Sequence, residues 1–164
     1  MKYTPEDDFS YYYEWANGDS LSTLFDTTAT FTFLRTINEE KATYRYQPNK
    51  WSIKQVIGHI TDHERIKMFR AFRLSRNEDI QLWGYDQNFL TDNSRFDELT
   101  LELLITDFYN VRKSSLSFIE TLSESQLTKT GLAQQRQITL IDFIKSIVGH
   151  ERHHLDIIKG RYLK

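Results

Sequence analysis

The stretch W-S-I-K-Q-V-I-G-H-I-T-D-H-E-R-I, Trp51 to Ile66, reads as the opening of a long amphipathic helix. Pro48 and Asn49 break the chain before it. Ser52 and Gln55 have the spacing of a capping box, in which each side chain satisfies a backbone N–H left open by the first helical turn. Ile53, Val56, Ile57 and Ile60 then recur at helical intervals. The pattern predicts a helix from Ser52 to about Arg76.

Outward from this segment, three further long helices are predicted. Asp19 is the expected cap of one running to about Asn38, with Leu21, Leu24, Phe25, Thr28, Phe31 and Leu34 or Arg35 at helical spacing. Another begins near Asp97 and ends near Leu122, with Leu99, Leu103, Leu104, Phe108, Val111, Leu116 and Ile119 as its apolar set. The last starts at Thr139, again with capping-box spacing to Asp142, and runs to Lys159 before Gly160. Thr4 and Pro5 predict a short N-terminal helix through Tyr11 to Trp15, ended by Asn17-Gly18. Strand-like alternation is not sustained anywhere. The expectation is therefore all-α: a single domain over residues 1–164, folded as a four-helix bundle with a short N-terminal helix.

The connection from Asn77 to Phe96, between the second and third bundle helices, is longer than most links in compact bundles. It carries Trp83, Tyr85 and Phe89 among Asp79, Asp86 and Asp92. Two readings fit: a lid over one end of the bundle, or a loop packed for stability alone.

Composition narrows the function. Hydrophobic residues at 39% and aromatics at 14% support a packed core in a chain of this length. The net charge of −2, from 21 basic and 23 acidic side chains, gives no electrostatic reason to expect nucleic acid as a partner. The absence of cysteine excludes disulfides, thiolate metal sites and a cysteine nucleophile, and fits a reducing cytoplasm. No apolar run is long enough to cross a membrane, and M-K-Y-T-P-E-D-D lacks a hydrophobic signal region. A soluble, cytoplasmic protein without a membrane partner is expected.

All five histidines fall in two short runs: His59 and His63 in the first, His150, His153 and His154 in V-G-H-E-R-H-H-L-D. On the last helix, Ile144, Ile147, Val148, Leu155 and Ile158 define the buried face. His154 lies roughly 40° from its centre and His150 roughly 80°, on the same flank, while His153 falls far round toward solvent. An i, i+4 histidine pair can present two imidazoles to one metal ion. On the other helix His63 lies somewhat nearer the apolar centre than His59, so the wheel does not select His59 and mildly prefers His63. Each run also begins Gly-His, at Gly58-His59 and Gly149-His150. Glycine costs about 1 kcal/mol relative to alanine inside a helix. Room for a site and tight helix packing both explain its presence.

The segment Trp51 to Ile66 resembles the second-helix signature of the DinB/YfiT-like superfamily. G-H-E-R-H-H-L, Gly149 to Leu155, resembles its C-terminal signature, and G-Y-D-Q, Gly84 to Gln87, its glycine–aromatic–aspartate segment. The resemblance implies an up-and-down four-helix bundle with a three-histidine metal site whose ligands would be His59, His150 and His154. His63 and His153 are left as neighbours.

Three imidazoles leave an open position on zinc or nickel, and histidine also suits manganese and iron. The resembled superfamily includes transferases and isomerases that use low-molecular-weight thiols. The leading expectation is thus transfer of such a thiol to an electrophilic small molecule. With no cysteine in the chain, the sulfur must come from a cosubstrate. The alternatives are metal-assisted hydrolysis with bound water as the nucleophile, and a non-catalytic stress-related metal-binding or interaction bundle. Glu151 is the candidate base or hydrogen-bond acceptor. Asp62 and Glu64 are candidates to orient a ligand histidine, with salt bridging the commoner role for all three carboxylates. Arg70 and Arg73 are candidates to receive an anion, or members of a solvated face. Tyr11, Tyr12, Tyr13 and Trp15, followed by Phe31 and Phe33, are expected to pack between helices, with a homodimer contact as the minority reading.

Overall fold

The computed structural model describes residues 8–16, 18–77, 81–82, 84–133 and 136–164. The expectations for Thr4, Pro5, Asn17, Asp79 and Trp83 lie outside the described residues.

The predicted cap at Ser52 is formed in full. Its hydroxyl accepts from Gln55 N, and Gln55 reaches back to the Ser52 backbone. The helix it starts, α5, spans Ile53–Ser75. Among the described residues, four short helices precede it: α1 (Asp8–Glu14), α2 (Leu21–Leu24), α3 (Thr28–Leu34) and α4 (Glu39–Ala42). The single helix expected from Asp19 to Asn38 is therefore broken. The reason is local: Ser20 caps α2, Asp26 accepts from both the N–H and hydroxyl of Thr28, and Asn38 caps α4. Each side chain offers backbone N–H groups a partner outside a continuous helix.

After α5 come α6 (Gln87–Asp92), α7 (Leu101–Ile119), α8 (Glu124–Leu127) and α9 (Leu140–Ile157). Thr100 caps α7, preceded by a single 3-10 turn at Phe96–Glu98, so this helix begins a turn later than predicted. Thr139 caps α9 as expected. Gly160 does not end it: the chain continues as a π turn over Ile158–Tyr162. Among the described residues, three strands too short to show alternation form a small sheet in the order β1-β2-β3. In it, β1 (Gln81–Leu82) runs parallel to β2 (Thr130–Ala133), and β2 pairs antiparallel with β3 (Arg136–Thr139).

The architecture is the four-helix bundle, made by the segmented α2–α4 region with α5, α7 and α9. Side-chain contacts give the directions. Lys54 reaches Leu99, Arg65 pairs with Asp107, and Phe72 meets Phe118, so α5 and α7 run the same way where simple alternation would oppose them. His59 meets His150 and Lys67 meets Ser146, so α5 and α9 are antiparallel. Parallel neighbours require a return along the bundle, which explains the long connection between α5 and α7. None of the described helices is long and apolar enough to cross a membrane.

Two apolar clusters fill the bundle. One gathers Leu34, Ile57, Leu104, Phe108 and Ile158; the other gathers Phe25, Leu74, Phe143, Ile144 and Val148. Between them lies a polar layer that includes His63, Glu64, Arg112, His150 and Glu151, all buried.

Both Gly-His steps are sites of close approach. A Cβ on Gly149 would lie 1.7 Å from the Tyr12 carbonyl oxygen, and one on Gly58 would lie 2.5 Å from the Phe96 ring. The first obstacle is backbone and the second a side chain that can turn. Gly149→Ala is expected to destabilise by about 1–3 kcal/mol and to loosen α1. Gly58→Ala should cost less, because alanine recovers about 1 kcal/mol of helix propensity. Urea unfolding of the two variants checks this; equal midpoints would contradict it.

Candidate metal centre

The antiparallel pairing of α5 and α9 brings the two histidine runs together. His150 and His154, one turn apart on α9, face His59 across the helix interface. His59 Nε2 lies 2.9 Å from His150 Nε2, and His154 Nε2 lies 3.1 Å from the same atom. One ring nitrogen from each residue falls within a 4.8 Å group. Two nitrogens held by one tetrahedral zinc-sized ion would lie about 3.3 Å apart. The spacing fits such an ion. Hydrogen bonding alone fits less well. A neutral ring nitrogen carries one proton or one lone pair, so His150 Nε2 can satisfy only one of its two neighbours.

Burial sets the charge state. Desolvation pushes the His59 pKa down to about 4, and holds His150 and His154 well below the usual imidazole value, with mutual repulsion adding to it. The three rings are therefore neutral near pH 7, with lone pairs available to a cation.

His63, which the helical wheel ranked ahead of His59, is not in the convergent group. Its ring stacks on His150 at 3.6 Å between centroids and 14° between planes, and its Nδ1 lies 2.7 Å from the Tyr85 hydroxyl. Its Nε2 and the Nδ1 of His150 are buried without hydrogen-bond partners among the described residues. His153, expected toward solvent, is half-buried because α1 covers that flank; its Nδ1 lies 2.9 Å from the Tyr11 hydroxyl. Tyr12 and Trp15 pack around the same rings, which accounts for part of the N-terminal aromatic patch.

The carboxylates point elsewhere. Glu151 accepts from Thr30 Oγ1 at 2.6 Å and from Arg112 Nη2 at 2.5 Å. Glu64, expected near a ligand histidine or in a surface salt bridge, instead accepts from Nε and Nη2 of the same buried guanidinium. Burial alone would lower the Arg112 pKa, but Glu151 and Glu64 outweigh it and keep the group charged. Phe25 and Phe108 flank it, with ring centroids 4.9 and 5.3 Å away. Asp62 accepts from Arg65. Arg70 is half-buried with Tyr85 5.9 Å away, and Arg73 lies over Phe69.

Sequence reasoning missed Arg112 and Thr30. Arg112 had a signal: it falls between Phe108 and Ser115 on the buried stripe of α7, where an arginine needs acidic partners. Thr30 had none.

The connection before α7 completes the surroundings. Tyr85 meets His63, Asp86 caps α6, and Phe96 fills the notch at Gly58. Gln87 and Asn88 form one wall of a cleft of about 220 Å³ that His154 also lines. Of the aromatics named for this loop, Tyr85 packs and Phe89 is exposed.

The buried histidines predict acid sensitivity. Their folded-state pKa values lie below the unfolded value of about 6.5, so at pH below it the unfolded chain binds more protons and stability falls with pH. For protein kept in chelator, the urea midpoint should drop steadily from about pH 7 to about pH 5. A flat or rising midpoint over that range would contradict neutral burial.

A solved structure of similar fold is that of YfiT from Bacillus subtilis, described as a probable metal-dependent hydrolase with an unusual four-helix bundle topology. It is 17% identical, with a TM-score of 0.72 over 97% of this chain and 87% of that chain, a likeness of fold. No curated protein matches the sequence. Residues 25–158 match the family described as the DinB superfamily, and the chain belongs to that superfamily.

Proposed function

We propose that this chain is a metal-dependent hydrolase in which His59, His150 and His154 hold one divalent ion through their Nε2 atoms. The convergence of those three nitrogens at 2.9 and 3.1 Å carries the reading. The fold likeness to YfiT, itself described as a probable metal-dependent hydrolase, favours hydrolysis over the thiol transfer expected from sequence. Zinc and nickel both suit an all-imidazole donor set. Three neutral imidazoles leave an ion an open position, where it lowers the pKa of a water molecule and supplies a nucleophile at neutral pH.

The chain's own residues do the rest. Burial keeps the three imidazoles neutral, and so keeps their lone pairs free. The stacked ring of His63 and the hydroxyl of Tyr85 wall one side of the site. Trp51, whose ring centroid lies 4.9 Å from that of His59, walls another. Arg112 draws Glu64 and Glu151 into a buried ion pair, which leaves the imidazoles as the donors at the site. Glu151 acts here through helix position and not as a base. The cleft beside His154 gives a small substrate its approach.

Elemental analysis tests the ligand set. Wild type should carry close to one divalent ion per chain. His59→Ala and His154→Ala should each lose most of it, and His63→Ala should keep it. Equal metal in all four proteins would remove the site. Ester and amide hydrolysis by the wild type, assayed beside thiol transfer to an electrophile, decides the reaction; turnover with the thiol alone would reverse the choice.

A further inference from the structure

The cleft beside His154 has a chemistry of its own. Trp51, Tyr46, Val56, Ile157 and Tyr162 give it an apolar, largely aromatic wall. Asn49, Lys50, Gln87 and Asn88 give it a polar rim. Among its described lining residues there is one ammonium and no carboxylate. Lys50 forms no salt bridge with any described residue, and its carbonyl is held by Arg45. A lysine among the lining residues, with no salt bridge to a described residue and no carboxylate among the described lining residues, favours an anionic occupant of this partly apolar hollow.

The walls are held by contacts within the fold. The Tyr162 hydroxyl donates to the Trp51 carbonyl at 2.7 Å, and the Tyr46 ring packs edge-on to Tyr162 at 4.7 Å. Arg45 Nη1 donates to the Lys50 carbonyl at 2.7 Å, while its Nη2 pairs with Asp97. Asn49 adopts a left-handed backbone, φ 61°, which turns the chain into this loop. Side chains held this way have little freedom left to lose when a ligand binds.

We propose that this cleft is the substrate-binding site and that it selects a small monocarboxylate bearing one aromatic ring or a short apolar chain. The ring or chain lies against Trp51, Tyr46 and Ile157, and the carboxylate meets Lys50 with the amides of Asn49, Gln87 or Asn88. At about 220 Å³ the cleft is below the ~300–1,000 Å³ of drug-sized sites, which sets the size. One ammonium with neighbouring amides matches a monoanion; a phosphate dianion calls for more cationic donors or an arginine fork. The inference rests on the hydrolase reading for the site's purpose, but not for the cleft's charge preference.

Calorimetric titration of the protein as purified tests it, with hydrocinnamate, its matching alcohol and its matching amine as probes. Hydrocinnamate should bind tightest. Lys50→Glu, an exposed substitution, should weaken it about tenfold while leaving the alcohol within about twofold. Equal affinity for acid and amine would overturn the proposal. So would hydrocinnamate binding that survives Lys50→Glu unchanged, since a carboxylate held only by an ion would behave that way. Metal content, measured on the same samples, separates the two readings. Protein without metal that keeps the Lys50-dependent preference supports the cleft and removes the hydrolase; metal-loaded protein without it does the reverse.

Discussion

The bundle's interior turns on one buried cation. Arg112, on α7, is 1% exposed and binds Glu64 of α5 and Glu151 of α9. A charge this deep is tolerated only when it is paired and hydrogen-bonded, and removing one partner from such a group typically costs about 3–5 kcal/mol. The pairing thus fixes how α5 and α9 are rotated about their axes. His63 precedes Glu64 and His150 precedes Glu151. At roughly 100° per residue, turning each glutamate toward α7 sets its neighbouring histidine on the adjoining face. There the two imidazoles stack, and His59 and His154, one turn away on either helix, close on the same point. The ion pair and the histidine cluster are two faces of one constraint.

That arrangement divides labour between carboxylate and imidazole. Glu64 and Glu151 are committed to the guanidinium, so among the described residues the donors that converge in the neighbouring pocket are imidazole nitrogens. A set of uncharged imidazoles keeps the full positive charge of a bound divalent ion, where carboxylate ligands would offset it. This favours an ion that acts as a Lewis acid. The parallel course of α5 and α7 adds the other requirement. The chain must return along the bundle between them, and the return lays Tyr85, Gln87, Asn88 and Phe96 beside the histidines, giving the site a wall and a mouth.

Much of this was legible in the residues, for identifiable reasons. The cap at Ser52 and Gln55 and the cap at Thr139 are short-range devices, and both helices start where those residues place them. The i, i+4 spacing put His150 and His154 on one flank. What depended on tertiary contact was not legible. Periodicity ranked His63 ahead of His59 because it measures depth in the core, whereas convergence depends on the facing helix. It carried a helix across Asp26 and Thr28, whose side-chain hydrogen bonds break it, and it placed His153 in solvent because the cover comes from α1. It saw the glycines of both Gly-His steps but not their neighbours: an α1 carbonyl at one and Phe96 at the other. The direction of α7 was encoded only in the length of the connection before it.

The most direct test is an anomalous-difference map from crystals grown with zinc or nickel, recorded at the edge of the metal supplied. A metal held by the three histidines gives one strong peak bounded by Nε2 of His59, His150 and His154, each about 2.0–2.1 Å away for zinc. A peak confined to surface carboxylates or to His153, with the three-histidine point empty, would contradict it.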